Sequence, residues 1–198
     1  MALSLRAATF GDAPAIAAVY APYVQHTVIS FEEIAPTAEQ MHDRMAASIA
    51  SHPWLVACRD GEVVGYAYSS RHRERAAYRW SVDVSVYLSA RWHRGGIGRA
   101  LYTTLLAALR ELGFARAYAG ITLPNQASVG LHEAMGFTLV GVYQGVGYKN
   151  GAWRDVGWWD CRLDGAMPQP QEPRSFAELK NSRAWERCLD AGMRLLAR

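Results

Sequence analysis

The stretch Arg91–Arg99 (RWHRGGIGR) constrains the fold more than any other in this chain. Upstream, Trp80 to Leu88 alternates: Val82, Val84 and Val86 fall on one side, Asp83, Ser85 and Tyr87 on the other. That is the two-residue period of a strand. Downstream, Ile97, Leu101, Leu105, Leu109 and Leu112 recur at helical spacing until Gly113, a C-cap glycine. A strand that feeds a helix through Gly95, Gly96 and Gly98 leaves two readings open. The glycines make a tight strand–helix connection, or they bring bare backbone N–H groups to a helix N-terminus, where the dipole favours an anion. Arg94 and Arg99 add positive charge suited to the second reading. The segment is not a Walker loop, because GK[ST] is absent. It is not a GxGxxG fingerprint either, because Gly96-Ile97-Gly98 runs on to Leu101.

Around this segment the chain reads as mixed α and β. Leu3–Ala8 alternates as a first strand, and Thr9 with Asp12 resembles an N-cap box for a helix over 12–23 with Pro14 in its first turn. Ile29–Phe31 looks like a short extended piece. Pro36-Thr37 opens a helix carrying Met41, Met45 and Ile49. Strands are predicted over 54–58 and 63–69, joined by the Asp60-Gly61 hairpin turn. Arg71–Arg75 (RHRER) is a basic loop before the alternating strand. After Gly113 come a strand over 115–121, a helix from Pro124-Asn125 to Gly136, and two strands over 137–148 and 153–163 turning at Asn150-Gly151. The expected fold class is α/β (α+β): a central mixed, mostly antiparallel twisted sheet with helices on both faces. Residues 1–164 form the expected domain. In 165–198, the proline-containing stretch Met167–Arg174 reads as a linker and Phe176–Leu196 as one amphipathic helix.

Composition narrows the function classes. The net charge of +3 and dispersed arginines give no nucleic-acid footprint. Cys58, Cys161 and Cys188 form no CxxC pair, so neither a metal site nor a redox motif is expected, and a reducing cytoplasm is. The opening MALSLRAATFGD has no apolar run of a leader, and no stretch approaches the ~18 apolar residues of a membrane span.

Arg94-Gly95-Gly96-Ile97-Gly98 resembles the pyrophosphate loop of the GNAT superfamily of N-acetyltransferases, with His93 where that family usually has Gln or Arg. Asn125-Gln-Ala-Ser128 through Gly136-Phe137 is similar to the family's following helix, on which Asn125, Ser128 and His132 share a face at i, i+3 and i+7. Ser81–Tyr87, Leu123-Pro124-Asn125, Leu131–Ala134 and Gly147–Gly157 resemble the phosphinothricin and methionine sulfoximine N-acetyltransferase branch. The resemblance spans about residues 3–163 and leaves out the tail. It implies the GNAT fold, acetyl-CoA as co-substrate, no metal, a small-molecule amine and a homodimer.

The resemblance also implies roles. Asp83, where the branch usually has Glu, is the candidate base, directly or through water; burial in an apolar strand raises a carboxyl pKa toward a useful range. His132 is the candidate acid or base near the leaving thiolate. The main chain of Val86, Tyr87 and Leu88 would pair with the pantetheine arm. Arg94, Gly95, Gly96, Ile97, Gly98 and Arg99 would hold the pyrophosphate, with Asn125 and Ser128 facing the cofactor. Arg73, Glu74, Arg75 and Tyr78 of the basic loop, with Phe31, Asp83 and Ser85, would line the amine pocket; arginine forks suit carboxylates and phosphinates. The basic loop favours an anionic amino acid over a polyamine or aminoglycoside; a protein N-terminus is the remaining amine. Asp83 and His132 favour turnover over a non-catalytic acyl-CoA-binding module. Trp153, Trp158 and Trp159 are expected in the core or a dimer contact.

Overall fold

The computed structural model describes residues 3–163 and 169–196. A seven-stranded sheet runs in the order β1-β2-β3-β4-β5-β7-β6. Its strands are β1 (Leu3–Ala7), β2 (Trp54–Arg59), β3 (Glu62–Arg71), β4 (Ser81–Leu88), β5 (Arg116–Leu123), β6 (Thr138–Lys149) and β7 (Ala152–Arg162). Neighbours are antiparallel except β4 and β5, which run parallel. The helices are α1 (Ala13–His26), α2 (Ala38–Ala46), α3 (Ile97–Leu112), α4 (Gln126–Ala134), α5 (Phe176–Leu179) and α6 (Arg183–Leu196).

Two apolar layers sandwich the sheet, and β2 shows how. Leu55 and Ala57 pack toward α3, α5 and α6, while Trp54, Val56 and Cys58 pack toward α1 and α2. A strand covered on both sides needs apolar residues at every position, which is what Trp54–Cys58 supplies. β4 obeys the same geometry with one polar side: Val82 and Val84 join the α3 layer, and Asp83, Ser85 and Tyr87 face the α1–α2 layer.

Short-range turn chemistry reads through. Asp60 (φ 50°) and Gly61 (φ 89°) make the β2–β3 turn, and Asn150 (φ 51°) and Gly151 (φ 75°) the β6–β7 turn. The segment 27–33, expected to be extended at Ile29–Phe31, is irregular and forms no strand. Lys149 at the end of β6 holds it: Nζ donates to the carbonyls of Val24 (2.7 Å), Ser30 (2.7 Å) and Glu32 (2.8 Å).

The tail differs from the sequence expectation. The 164/165 boundary, Met167 and Pro168 lie outside the described residues. The rest of the expected linker clings to the domain: Trp80 Nε1 donates to the Gln171 carbonyl (2.7 Å), Arg79 pairs with Glu172, and Arg174 N–H bonds the Leu112 carbonyl (2.8 Å). The expected single helix is two, α5 and α6. Ser182 restarts the chain as a cap, its Oγ accepting the Trp185 N–H at 3.3 Å. Phe176, Leu179, Trp185 and Cys188 enter the α3-side core, and Gly192 allows α6 to sit against Thr104 and Ala100 of α3.

Candidate active site

The parallel pairing of β4 and β5 is short. Ser81, Val82 and Asp83 align with Arg116, Ala117 and Tyr118, and there the pairing ends. Beyond it the strands part, and a cleft of about 380 Å³ opens between Val84–Tyr87 and Ala119–Thr122. Main-chain groups on this side of Val84–Tyr87 therefore lack the strand partner that would satisfy them. Leu88 differs: its N–H and C=O both meet the Tyr23 hydroxyl, at 3.3 and 2.6 Å. His93 Nε2 closes the same knot, 3.0 Å from Tyr23 Oη and 3.2 Å from the Leu88 carbonyl.

The glycine segment turns the corner from β4 into α3. Arg94 (φ 63°) and Gly96 (φ 78°) occupy the left-handed region, and Gly96 is the helix N-cap. Ala100 N–H is the first to bond back, to the Gly96 carbonyl at 3.0 Å, so the amides of Ile97, Gly98 and Arg99 precede the helical ladder. A Cβ on Gly96 would meet nothing within 4 Å, so that surface is open. The Ile97 side chain is in the core, leaving only its amide for a ligand, whereas Arg94 and Arg99 are exposed. Open glycines, free amides and two cations at a helix start fit a diphosphate.

On the α3 side of the cleft, α4 brings Asn125, Ser128 and His132 to the wall. Asn125 is the N-cap, its Oδ1 accepting the Ser128 N–H at 3.1 Å. His132 is buried. Its Nδ1 donates to the Ser128 carbonyl (2.7 Å), which leaves Nε2 to accept from the Tyr102 hydroxyl (2.9 Å). Burial holds the His132 pKa below its ordinary value, opposed by the Ser128 carbonyl, so the ring is neutral at pH 7. Burial also raises the Tyr102 phenol.

On the α1–α2 side lies a second opening of about 850 Å³, bounded by Tyr20, Ser30, Phe31, Glu32 and Val156. Ile29, Tyr87, Gly120 and Thr122 line both spaces, so the two meet through the parted strands. Phe31 lies over Gly147, where any Cβ would overlap its ring. Glu32 accepts both arms of the Arg44 fork (2.7 and 2.8 Å) and the Tyr20 hydroxyl (2.9 Å). Arg44 holds the Glu32 carboxyl below its ordinary range, and burial pushes the Tyr20 phenol up to about 12.

Asp83 is the last β4 residue paired with β5 and points to this same side. Its Oδ1 sits 2.6 Å from His72 Nδ1. Burial raises the Asp83 carboxyl, with the His72 hydrogen bond and Arg73 opposing. Of the basic loop, Arg73 donates to the His72 carbonyl (2.9 Å) and lies over the Trp158 ring, 5.7 Å from its centroid. Tyr78 approaches the His72 ring edge-on. Glu74 turns to Arg71 (3.3 Å) and solvent, and Arg75 is exposed; neither these two nor Arg73, Tyr78 and Asp83 line the openings described, and Ser85 lines only the first. Trp159 is in the core, while Trp153 is 68% exposed.

Residues 5–158 match the acetyltransferase (GNAT) domain family. The chain belongs to the GNAT acetyltransferases. It is 38% identical to a phosphinothricin N-acetyltransferase of Streptomyces viridochromogenes, over 86% of this chain and 92% of that protein. It is 31% identical to an L-methionine sulfoximine/L-methionine sulfone acetyltransferase of Salmonella typhimurium, over 82% and 95%. A GNAT superfamily phosphinothricin acetyltransferase from Sinorhizobium meliloti, crystallised with acetyl-CoA, superposes with a TM-score of 0.84 at 34% identity, covering 92% of this chain and 100% of that one. As a GNAT fold, the chain has the expected sheet with helices on both faces.

Sequence reasoning missed His72, Tyr102, Tyr23 and Lys149 as individual residues of the site. His72 stood in the basic loop without a separate role. Tyr102 sits in the apolar period of α3, with nothing local to mark its hydroxyl. Tyr23 and Lys149 act over sequence separations of 65 and 117–125 residues, beyond any local pattern.

Proposed function

We propose that the protein transfers an acetyl group from acetyl-CoA to the α-amino group of a small L-amino acid or analogue of the phosphinothricin or methionine sulfoximine type. The observation that carries the reading is the gap between β4 and β5, open to both sides of the sheet and flanked by the glycine turn. The amides of Gly95–Arg99 with Arg94 would hold the diphosphate, and the unpaired main chain of Val84–Tyr87 the amide-bearing arm. Asn125, Ser128 and His132 line that side. The amine would enter from the α1–α2 side, past Phe31, toward Asp83 and Ser85, with Arg73 available to a carboxylate.

Two substrates arriving from opposite faces meet without a covalent enzyme intermediate. The ammonium N–H breaks as Asp83 takes the proton, directly or through one water; the freed lone pair forms the C–N bond as the C–S bond breaks. The sulfur departs as thiolate and takes up a proton. The Tyr102 hydroxyl spends its one proton on the bond to neutral His132, so the thiolate takes its proton from water in the cleft that Tyr102 and His132 line.

We further propose a homodimer in the cytoplasm. β6 is an edge strand that exposes Leu139, Val140, Val142, Tyr143 and Val146, and Trp153 stands exposed on β7. Apolar side chains on an open edge favour pairing with another copy. The three cysteines are buried and unpaired, which suits a reducing compartment. No helix of the described residues is long and apolar enough to cross a membrane.

A panel of amines with free-thiol readout tests the function. Methionine sulfoximine, methionine sulfone or phosphinothricin should release thiol saturably, while spermidine and an aminoglycoside should not. Turnover confined to polycations would refute the carboxylate-binding reading.

A further inference from the structure

His72 begins the connection after β3, its N–H bonded to the Ser81 carbonyl at 3.3 Å. Its side chain is 12% exposed. The ring stacks on Tyr118 (centroids 4.3 Å apart, 17° between planes), with Trp158 and Tyr78 edge-on at 6.0 and 6.1 Å. Three aromatic neighbours from β5, β7 and the loop hold the plane of that ring. In it, Nδ1 meets Asp83 Oδ1 at 2.6 Å, and among the described residues Asp83 has no other hydrogen-bond partner. An ionised carboxylate only accepts, so the proton sits on Nδ1 and Asp83 Oδ2 carries no protein donor.

We infer that His72 is the positioning residue of the base: its Nδ1–H fixes Asp83 Oδ1 and turns Oδ2 to the substrate ammonium. The inference rests on the acetyltransferase reading above. An aspartate has one methylene fewer than the glutamate usual in the resembled branch. Its carboxylate stays close to the strand, where an unheld rotamer loses the proton-transfer geometry. In the step, the ammonium proton passes to Oδ2, the nitrogen lone pair forms the C–N bond, the C–S bond breaks, and Asp83 then yields the proton to water. His72 itself exchanges no bond.

The same hydrogen bond favours the ionised form of Asp83 against burial. Burial raises the carboxyl, and the hydrogen bond from His72 is the largest opposing influence. The charged and titratable groups facing the pair are Arg73 and Tyr78 from the loop, Tyr68 from β3 and Tyr118 from β5; Trp158 from β7 carries no charge. Removing the His72 donor should therefore move Asp83 protonation, and the acidic limb of activity, to higher pH.

The test compares wild type, His72→Ala and His72→Asn by thiol release with methionine sulfoximine and acetyl-CoA across about pH 5.5–9. His72→Ala should lower amine kcat/KM by ~10–100-fold, shift the acidic limb upward and leave acetyl-CoA KM unchanged. His72→Asn keeps a donor near the Nδ1 position and should restore most of the rate. The ¹⁵N shifts of labelled His72 should report the Nδ1–H tautomer, a readout independent of turnover. An unchanged rate and pH profile in His72→Ala, failure of His72→Asn to restore, or an Nε2–H tautomer overturns the inference. A wild-type protein that acetylates no amino acid overturns instead the reading beneath it.

Discussion

Replacing Lys149 with Met should loosen the amine-side wall and leave the acetyl-CoA side intact. Lys149 is 8% exposed, and its ammonium donates to the Val24 carbonyl in the last turns of α1 and to the Ser30 and Glu32 carbonyls of the segment that follows. Met matches the length of the stem but supplies no donor. Hydrogen bonds to a charged group are worth about 1.5–3 kcal/mol each. The sum overstates the effect, because burying the ammonium itself costs several kcal/mol. Of the freed carbonyls, only that of Glu32 lies on a residue partly open to water; Val24 and Ser30 are buried. A net loss of about 2–4 kcal/mol follows. At roughly 2–4 °C per kcal/mol for a chain of this size, the midpoint of a thermal melt should fall by roughly 5–15 °C. Phe31, which rests on Gly147 two residues before Lys149, should lose its seat, so amine KM should rise while acetyl-CoA KM stays put. A stability loss under about 1 kcal/mol, or a KM change confined to acetyl-CoA, would refute this role for Lys149.

Other outcomes follow from the same structure. Gly192→Val should destabilise by about 2–3 kcal/mol in a thermal melt, since its Cβ would overlap Thr104 Oγ1 and lie 2.6 Å from the Ala100 carbonyl oxygen; an unchanged melt would mean that α6 is not seated on α3. Arg6 and Arg44 hold Asp12 and Glu32 below their ordinary carboxyl values of 3.8 and 4.5. That stability is fully present above the unfolded values and is lost as pH falls through the depressed folded ones, so Arg6→Ala and Arg44→Ala should flatten the acid branch of a melt-versus-pH curve. Asp83→Asn and His132→Ala should each lower kcat by ~100-fold or more, with coenzyme A affinity in calorimetry held by Asp83→Asn.

What the sequence made legible was local. Gly113, with φ 87°, ends α3 where a C-cap glycine was expected, and the Asp60-Gly61 and Asn150-Gly151 turns sit between the strands they were read to join. Each is decided by the backbone freedom of one or two residues, which a sequence carries openly. Asp83 was placed on the polar side of β4 for the same reason: the period of two is a property of one strand. The His72–Asp83 contact depends instead on the β3–β4 register, where Ser70 lies opposite Asp83. Lys149 reads as an ordinary polar strand end until 117–125 residues of intervening chain fold against it. Residues 180–182 hold neither Gly nor Pro, so no strong breaker marked the α5–α6 break; the sign it left is a change of phase, Phe176 and Leu179 falling off the helical face that carries Trp185 and Cys188.

Free thiol and N-acetyl product can be followed together when the protein is mixed with acetyl-CoA and L-methionine sulfoximine. Saturable release of one thiol per N-acetylated amino acid, with rate falling as pH drops through the raised Asp83 value, is the expected result. Tight binding of coenzyme A without acetylation of any amino acid offered would show that the parted strands hold a ligand but do not carry out the transfer.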